Sequence, residues 1–212
     1  MYKKISIFLI GIFLFFSFII FSYLVHKNIF TQIDFNTTVK LQDNIPRNVD
    51  TLFSWLSEIG NFEVTLIMLF LLIGILIWSK KYIAALLTFI FFGMFHLVEL
   101  FGKGFVDHLP PPQFMIRTQE HLNMPQFAIR QENSYPSGHS GRAAFFAVII
   151  FFLVVYSKKL TKTQKVIIIT ILVMYNIAMF ISRIYLGEHW ATDIIGGAML
   201  GYAFGFLTAI SL

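Results

Sequence analysis

The chain has 212 residues, of which 57% are hydrophobic and only 13% charged, and phenylalanine alone occurs 26 times. A soluble domain carries about 25% charged residues and keeps its exposed apolar patches small, so this composition excludes a water-soluble globule and a disordered tail and leaves a polytopic membrane protein. The net charge of +5 comes from 16 Lys and Arg against 11 Asp and Glu, and the lack of cysteine removes disulfides, thiolate zinc sites and a thiol nucleophile.

The first apolar stretch, 5–25, follows Lys3 and Lys4. A signal peptide shares that basic start, but its apolar run is shorter and ends in small residues. Here the run ends in Phe21-Ser22-Tyr23-Leu24-Val25, which reads as an uncleaved span. Segment 25–61 mixes polar residues with spaced apolar ones (Ile33, Val39, Leu41, Val49, Leu52, Phe53, Trp55, Leu56). That pattern fits one or two amphipathic helices on the membrane interface, and equally a packed lid or a connector. Five further apolar stretches follow at 62–78, 82–100, 142–156, 166–184 and 191–212. Each is near the ~20 residues that a bilayer-spanning helix needs, and none alternates with the period of a barrel strand. The expected fold is therefore all-α integral membrane with six transmembrane helices. Residues 1–61 make the first transmembrane helix plus an outward amphipathic segment, and 62–212 a five-helix core with an outward loop at 101–141. So long a connection is in general either functional or disordered.

The charges set the sidedness. If six spans alternate, Lys3 and Lys4, Lys80 and Lys81, and Lys158, Lys159, Lys162 and Lys165 share one face without a single acid, while every Asp and Glu lies toward the other. The positive-inside rule makes the lysine face and both termini cytoplasmic, and turns 25–61, 101–141 and 185–190 outward. The lysines form short clusters beside spans rather than a basic groove, so no nucleic acid partner is expected.

Ionisable groups at membrane depth cost on the order of 2.5–3.5 kcal/mol each. Glu99, Lys103, His139, Arg142, Arg183, Glu188, His189 and Asp193 gather at the outer ends of the last four spans, which points to a shared polar pocket rather than separate snorkelling side chains. His189 and Asp193 stand at i, i+4 on one helix face. A carboxylate there fixes the imidazole tautomer and leaves the other nitrogen free, as a nucleophilic histidine requires; the alternative is a helix-capping ion pair. Tyr135-Pro136-Ser137-Gly138-His139-Ser140-Gly141 opens the fourth span. It reads as a common helix-capping turn, or as an anion cradle of helix N-terminal amides with His139 beside it as a general acid. Lys103 is either a membrane anchor or a cation for phosphate oxygens.

Lys103, then Pro136-Ser137-Gly138-His139, then Ser182-Arg183-x5-His189-x3-Asp193, in that order, resemble the type 2 phosphatidic acid phosphatase family, whose helical core is similar to that of vanadium-dependent haloperoxidases. The second and third motifs match at every family-defining position, and the resemblance covers about 86–212. The first motif departs from the pattern of a lysine, six residues, then Arg-Pro: Pro110 stands in the arginine's place and Pro111 in the proline's. His108, Arg117 and Arg130 are the candidates for the missing phosphate-binding charge, Arg117 first, because a guanidinium restores bidentate contact.

The resemblance implies a two-step hydrolysis of a lipid phosphate or polyprenyl pyrophosphate at the bilayer. His189 attacks phosphorus, Asp193 orients its ring, and His139 protonates the leaving oxygen. Lys103, Arg117, Arg183 and the amides around Ser137 and Gly138 hold the phosphate oxygens. It implies no metal and no cofactor, and the sequence contains no His-Glu-x-x-His helix and no calcium loop. Convergence of three among His96, His108, His121, His139 and His189 on zinc is the minor alternative. The rival functions are a lipid phosphotransferase built on the same site and a non-catalytic lipid-binding protein or transporter.

Overall fold

The computed structural model describes residues 2–119 and 132–212. Among them are eight α-helices and no strand: α1 (Tyr2–His26), α2 (Thr31–Asn44), α3 (Asp50–Ile59), α4 (Phe62–Trp78), α5 (Tyr82–Phe105), α6 (Gly138–Tyr156), α7 (Lys162–Tyr185) and α8 (Ala191–Ala209). Helices α1, α5, α6, α7 and α8 are each long and apolar enough to cross a membrane, and α4, joined at a 50° bend to Arg47–Ile59, supplies the sixth. The structure is the multi-pass helical bundle that the composition demands.

Large apolar side chains cover the outside, among them Phe13 and Ile20 on α1, Leu71 on α4 and Ile171 and Met174 on α7. Lipid is as apolar as leucine, so helix association inside a bilayer depends on close packing, and small residues mark the contacts. The α6–α8 pair is built this way. A Cβ added at Gly201 would stand 2.0 Å from the Gly141 carbonyl oxygen, and one at Gly197 would stand 2.2 Å from that of Ser137. Helix α1 packs on α8, with the rings of Phe15 and Phe204 edge to face at 5.7 Å. Phe18 stacks on Tyr135, whose hydroxyl lies 2.9 Å from Ser22 Oγ. Phe18 and Val25 thus belong to the same buried cluster as Leu69, Phe92, Phe145 and Phe204, so residues 1–61 share their core with 62–212.

The bundle has two unlike ends. At one, Lys4 Nζ donates to the Ile210 carbonyl and Lys81 Nζ to that of Leu212, while Lys165 Nζ caps Val155. The buried carboxylates, guanidiniums and imidazoles collect at the other end. Helices α2 and α3 lie over it as a packed lid, one of the readings that the sequence left open. Their faces are inverted relative to a soluble surface helix: Asp34, Thr38, Asp50, Ser54, Ser57 and Glu58 are buried, while Ile33, Leu52, Trp55 and Ile59 are exposed. The polar face covers a polar site, and the apolar face suits a membrane interface.

Helix bounds extend beyond the apolar stretches in the sequence. Helix α5 runs to Phe105 rather than 100, and α6 begins at Gly138 rather than 142. The polar residues in these extra turns find partners at this end of the bundle, Lys103 in Glu99 and His139 in Asn61, so helix continues where hydropathy has already fallen.

Candidate active site

The link between α7 and α8 sets the first part of the site. Arg183 closes α7, and its carbonyl accepts from the amides of both Glu188 and His189. The turn between them needs Gly187 at φ +72°, and a Cβ there would lie 2.2 Å from the Met115 carbonyl oxygen; only glycine meets both demands. Asp193, in the first turn of α8, accepts at Oδ2 from the Trp190 amide at 2.9 Å, the backbone half of a capping box. The same oxygen lies 3.2 Å from His189 Nδ1. With Nδ1–H donated to this carboxylate, the Nε2 of His189 keeps a bare lone pair. Burial pushes the His189 imidazole below its usual range; Asp193 opposes that, and Arg183 and Lys103 add to it. The ring is therefore neutral at neutral pH, the form a nucleophile needs.

The second part comes from the start of α6. Ser137 is its N-cap, and the amides of the first turn have no intrahelical acceptor. The Ser137 amide itself is engaged, donating to the Asp193 carbonyl at 3.0 Å and tying α6 to α8. The amides that remain for an anion are those from Gly138 onward. His139 Nε2–H donates to Asn61 Oδ1 at 3.0 Å, at the bend between α3 and α4. The ring lies within electrostatic range of Arg183, Arg142, His189 and Lys103.

The cations are held by carboxylates. Glu99 sits 3.8 Å from Lys103 Nζ, 3.8 Å from Arg142 Nη1 and 2.9 Å from His96 Nδ1. Arg142 also donates from Nε and Nη2 to the Gly60 carbonyl. Arg183 donates to Ser57 Oγ and pairs with Glu188. Its Nε, like Ser137 Oγ, is a buried polar atom without a hydrogen-bond partner among the described residues. Unpaired buried polar groups are costly, and here they sit in a cluster of positive charge. The arrangement suits a tetrahedral oxyanion: cations and helix-end amides for its oxygens, and a neutral imidazole for its central atom.

The structure thus brings together Lys103, Ser137, Gly138, His139, Arg183, His189 and Asp193. Arg117 lies beside this group rather than in it. Its amide donates to the Leu186 carbonyl, and its guanidinium stands 5.0 Å over the Tyr185 ring, with Nη1 buried and without a partner among the described residues. His108, another candidate for the missing charge, has both ring nitrogens directed at carboxylates, Asp193 and Asp34. Arg130 and His121 lie outside the described residues. No group of three His, Cys, Asp or Glu side chains that could hold a metal ion occurs among the described residues. Three participants came only with the structure: Asn61 on His139, Ser57 on Arg183, and Asp34 beyond His108. Each comes from the 25–61 segment, which carries no motif of its own and lies tens of residues from the side chains it serves.

Comparison with known proteins gives the family and the fold. The PAP2 superfamily model matches residues 81–212. A stretch of 75 residues is 44% identical to phosphatidylglycerophosphatase B of Bacillus subtilis, covering 35% of this chain and 36% of that protein. Another of 71 residues is 27% identical to a dihydrosphingosine 1-phosphate phosphatase of Saccharomyces cerevisiae, covering 34% of this chain and 18% of that protein. The chain therefore aligns with about a third or less of the length of these curated relatives. Among solved structures, a transmembrane PAP2-type phosphatidylglycerolphosphate phosphatase from Bacillus subtilis superposes with a TM-score of 0.74 at 24% identity, over 98% of this chain and 94% of the other. Aquifex aeolicus LpxE superposes with a TM-score of 0.57 at 21% identity, over 83% and 94%; these two likenesses speak for the fold. With both intact motifs at one end of a six-span bundle and the family model matching more than half of its length, the chain belongs to the PAP2 superfamily.

Proposed function

We propose that this protein is an integral-membrane phosphatase that hydrolyses the phosphate or pyrophosphate head group of a lipid through a phosphohistidine, without a metal. The observation that carries the reading is His189, with Nδ1 held by Asp193 and Nε2 free, in the field of Arg183, Lys103 and His139. The names of the two curated relatives, both phosphatases of lipid phosphates, support the substrate class.

In the first step the Nε2 lone pair attacks phosphorus. A P–N bond forms as the P–O bond to the lipid breaks, and the departing oxygen takes a proton from His139, which enters as the imidazolium and is left as the neutral imidazole. In the second step water attacks the phosphohistidine, gives its proton to His139, and the P–N bond breaks to release inorganic phosphate. Lys103, Arg183 and the first-turn amides of α6 stabilise the charge on the equatorial oxygens, the main catalytic task in phosphoryl transfer. The lysine-rich end faces the cytoplasm by the positive-inside rule, so the site opens at the outer leaflet and the termini are cytoplasmic.

Purified protein in detergent, assayed against a panel of lipid phosphates and polyprenyl pyrophosphate, is expected to release phosphate from at least one of them and to be inhibited by vanadate, a mimic of five-coordinate phosphorus. Binding without release and without vanadate inhibition would instead identify a non-catalytic lipid-binding protein. The lid of α2 and α3 over buried His189 and Arg183 favours one rival, transfer of the phosphate to a lipid or sugar acceptor; that reaction gives product only when the acceptor is added.

Arg117 is proposed as the guanidinium that the first motif lacks, on the strength of its unpartnered Nη1. Arg117→Ala is expected to raise KM and weaken vanadate inhibition about tenfold, the loss of one charge-assisted hydrogen bond of about 1.5 kcal/mol. If neither constant changes, Arg117 serves only Tyr185.

A further inference from the structure

Asp193 carries two histidines, and the phosphoryl-transfer steps use only His189. On the side away from His189, Asp193 Oδ1 lies 2.8 Å from His108 Nδ1. The opposite ring nitrogen, Nε2, lies 3.6 Å from Asp34 Oδ2 on the lid helix α2. Asp34 is fixed in turn by the Thr192 amide at 2.9 Å and the Thr192 hydroxyl at 2.7 Å. The result is a buried chain from lid to nucleophile: Asp34, His108, Asp193, His189. An imidazole bonded to one carboxylate through Nδ1 and facing a second at ion-pair distance through Nε2 is favoured as the imidazolium by both negative charges.

We propose that His108 is a positioning residue of the phosphatase reaction, a buried imidazolium that pins the Asp193 carboxylate on His189 and is itself held charged by Asp34. The proposal rests on the phosphohistidine reading. The chemistry follows from charge. As His189 Nε2 bonds to phosphorus, its ring becomes cationic, and the Nδ1 proton must stay on nitrogen for Asp193 to stabilise it. A carboxylate already bonded to an imidazolium holds protons weakly, so that proton is not surrendered to Asp193. Without His108, Oδ1 loses its 2.8 Å donor and the carboxylate is free to rotate off its second bond. Nδ1 of His108 is bonded to Asp193 and Nε2 is turned toward Asp34, so its charge acts through Asp193 rather than on the substrate.

Burial lowers the His108 pKa, but the hydrogen bonds and charges of Asp193 and Asp34 outweigh it and raise it from 6.5 to about 9. The groups facing this ring are Asp193 from α8, Asp34 from α2, His189 beyond Asp193, and Asp107 and Glu132 around the adjoining cavity; the acids all favour the charged form. The sign follows: a raised pKa contributes stability and correct charge fully below about 6.5, and both are lost as pH rises through about 9.

The test is a pH–rate profile of wild type, His108→Gln, Asp34→Asn and His189→Ala on the lipid phosphate that the wild type hydrolyses best. His108→Gln is expected to lower kcat about ten- to a hundredfold, the usual penalty for removing a residue that orients a reacting ligand, with KM within about twofold and the alkaline fall-off abolished. Asp34→Asn keeps an acceptor for Thr192 but removes the charge, and is expected to move the alkaline limb to lower pH by about one unit. An unchanged kcat in His108→Gln, a loss confined to KM, or an alkaline limb unmoved in Asp34→Asn overturns the proposal; if His108→Gln does not fold, the limb in Asp34→Asn decides alone. Activity that survives in His189→Ala would instead overturn the phosphohistidine reading, so the two failures are distinct.

Discussion

His189→Ala is expected to lower phosphate release by about four orders of magnitude or more, with the detergent-solubilised protein still folded. The size follows from what is lost. Among the described residues the imidazoles nearest the cation cluster are committed elsewhere: His139 through Nε2 to Asn61, His96 through Nδ1 to Glu99, and His108 to Asp193 and Asp34. Residues that act as one nucleophilic unit fail together, leaving only what binding and charge stabilisation supply. Asp193→Asn should lose about a hundredfold or more, because an amide placed there offers a donor where His189 Nδ1–H needs an acceptor. Incubation of wild type with radiolabelled lipid phosphate and a rapid alkaline quench should trap an acid-labile label on the protein, absent from His189→Ala. A label that persists in that variant assigns the nucleophile elsewhere.

The second large effect is structural. Gly201→Ala is expected to destabilise the protein by about 3 kcal/mol, the upper end of overpacking penalties, which for a chain of this size is a fall of about 6–12 °C in Tm. The new methyl would stand 2.0 Å from the Gly141 carbonyl oxygen, and backbone cannot turn aside as a flexible side chain can. Helices α6 and α8 must separate, and with them His139 moves from His189. A displacement of about 1 Å at reacting groups costs about a hundredfold in rate, so activity should fall beyond what the loss of folded protein explains. Gly74→Ala, where a Cβ meets nothing within 4 Å, is the matched control and should leave both Tm and kcat unchanged. Equal melting of the two variants would mean that α6 and α8 are not in backbone contact.

The first effect concerns a motif legible as text, because short-range geometry fixes it; Gly201 belongs to no motif, and only its contact with Gly141 on α6 marks it out. His189 and Asp193 share a face by helical period alone, and Pro136-Ser137-Gly138-His139 opens a helix by its own capping chemistry. Six spans and the lysine end are likewise local properties of composition. Not legible was the use of 25–61. Its spaced apolar residues fitted interface helices, a lid or a connector alike; Ile33, Leu52 and Trp55 are exposed and suit the membrane interface, while the polar face is buried because what lies beneath is charged. Helix periodicity shows that two faces exist, not which of them is inward.

The sequence by itself determined a helical membrane protein, the order of its spans, and the two motifs that carry imidazole, carboxylate and guanidinium at fixed spacings; each depends on residues within a turn or two of one another, or on charge counts beside a span. Only the tertiary structure decided how the cations are held and which polar groups serve them. Glu99 gathers Lys103, Arg142 and His96, Asn61 takes His139, and Asp34 reaches Asp193 through His108. Those partners are separated by tens of residues along the chain and meet because a buried charge in a low-dielectric bundle must find its counter-charge in space, wherever in the sequence that residue stands.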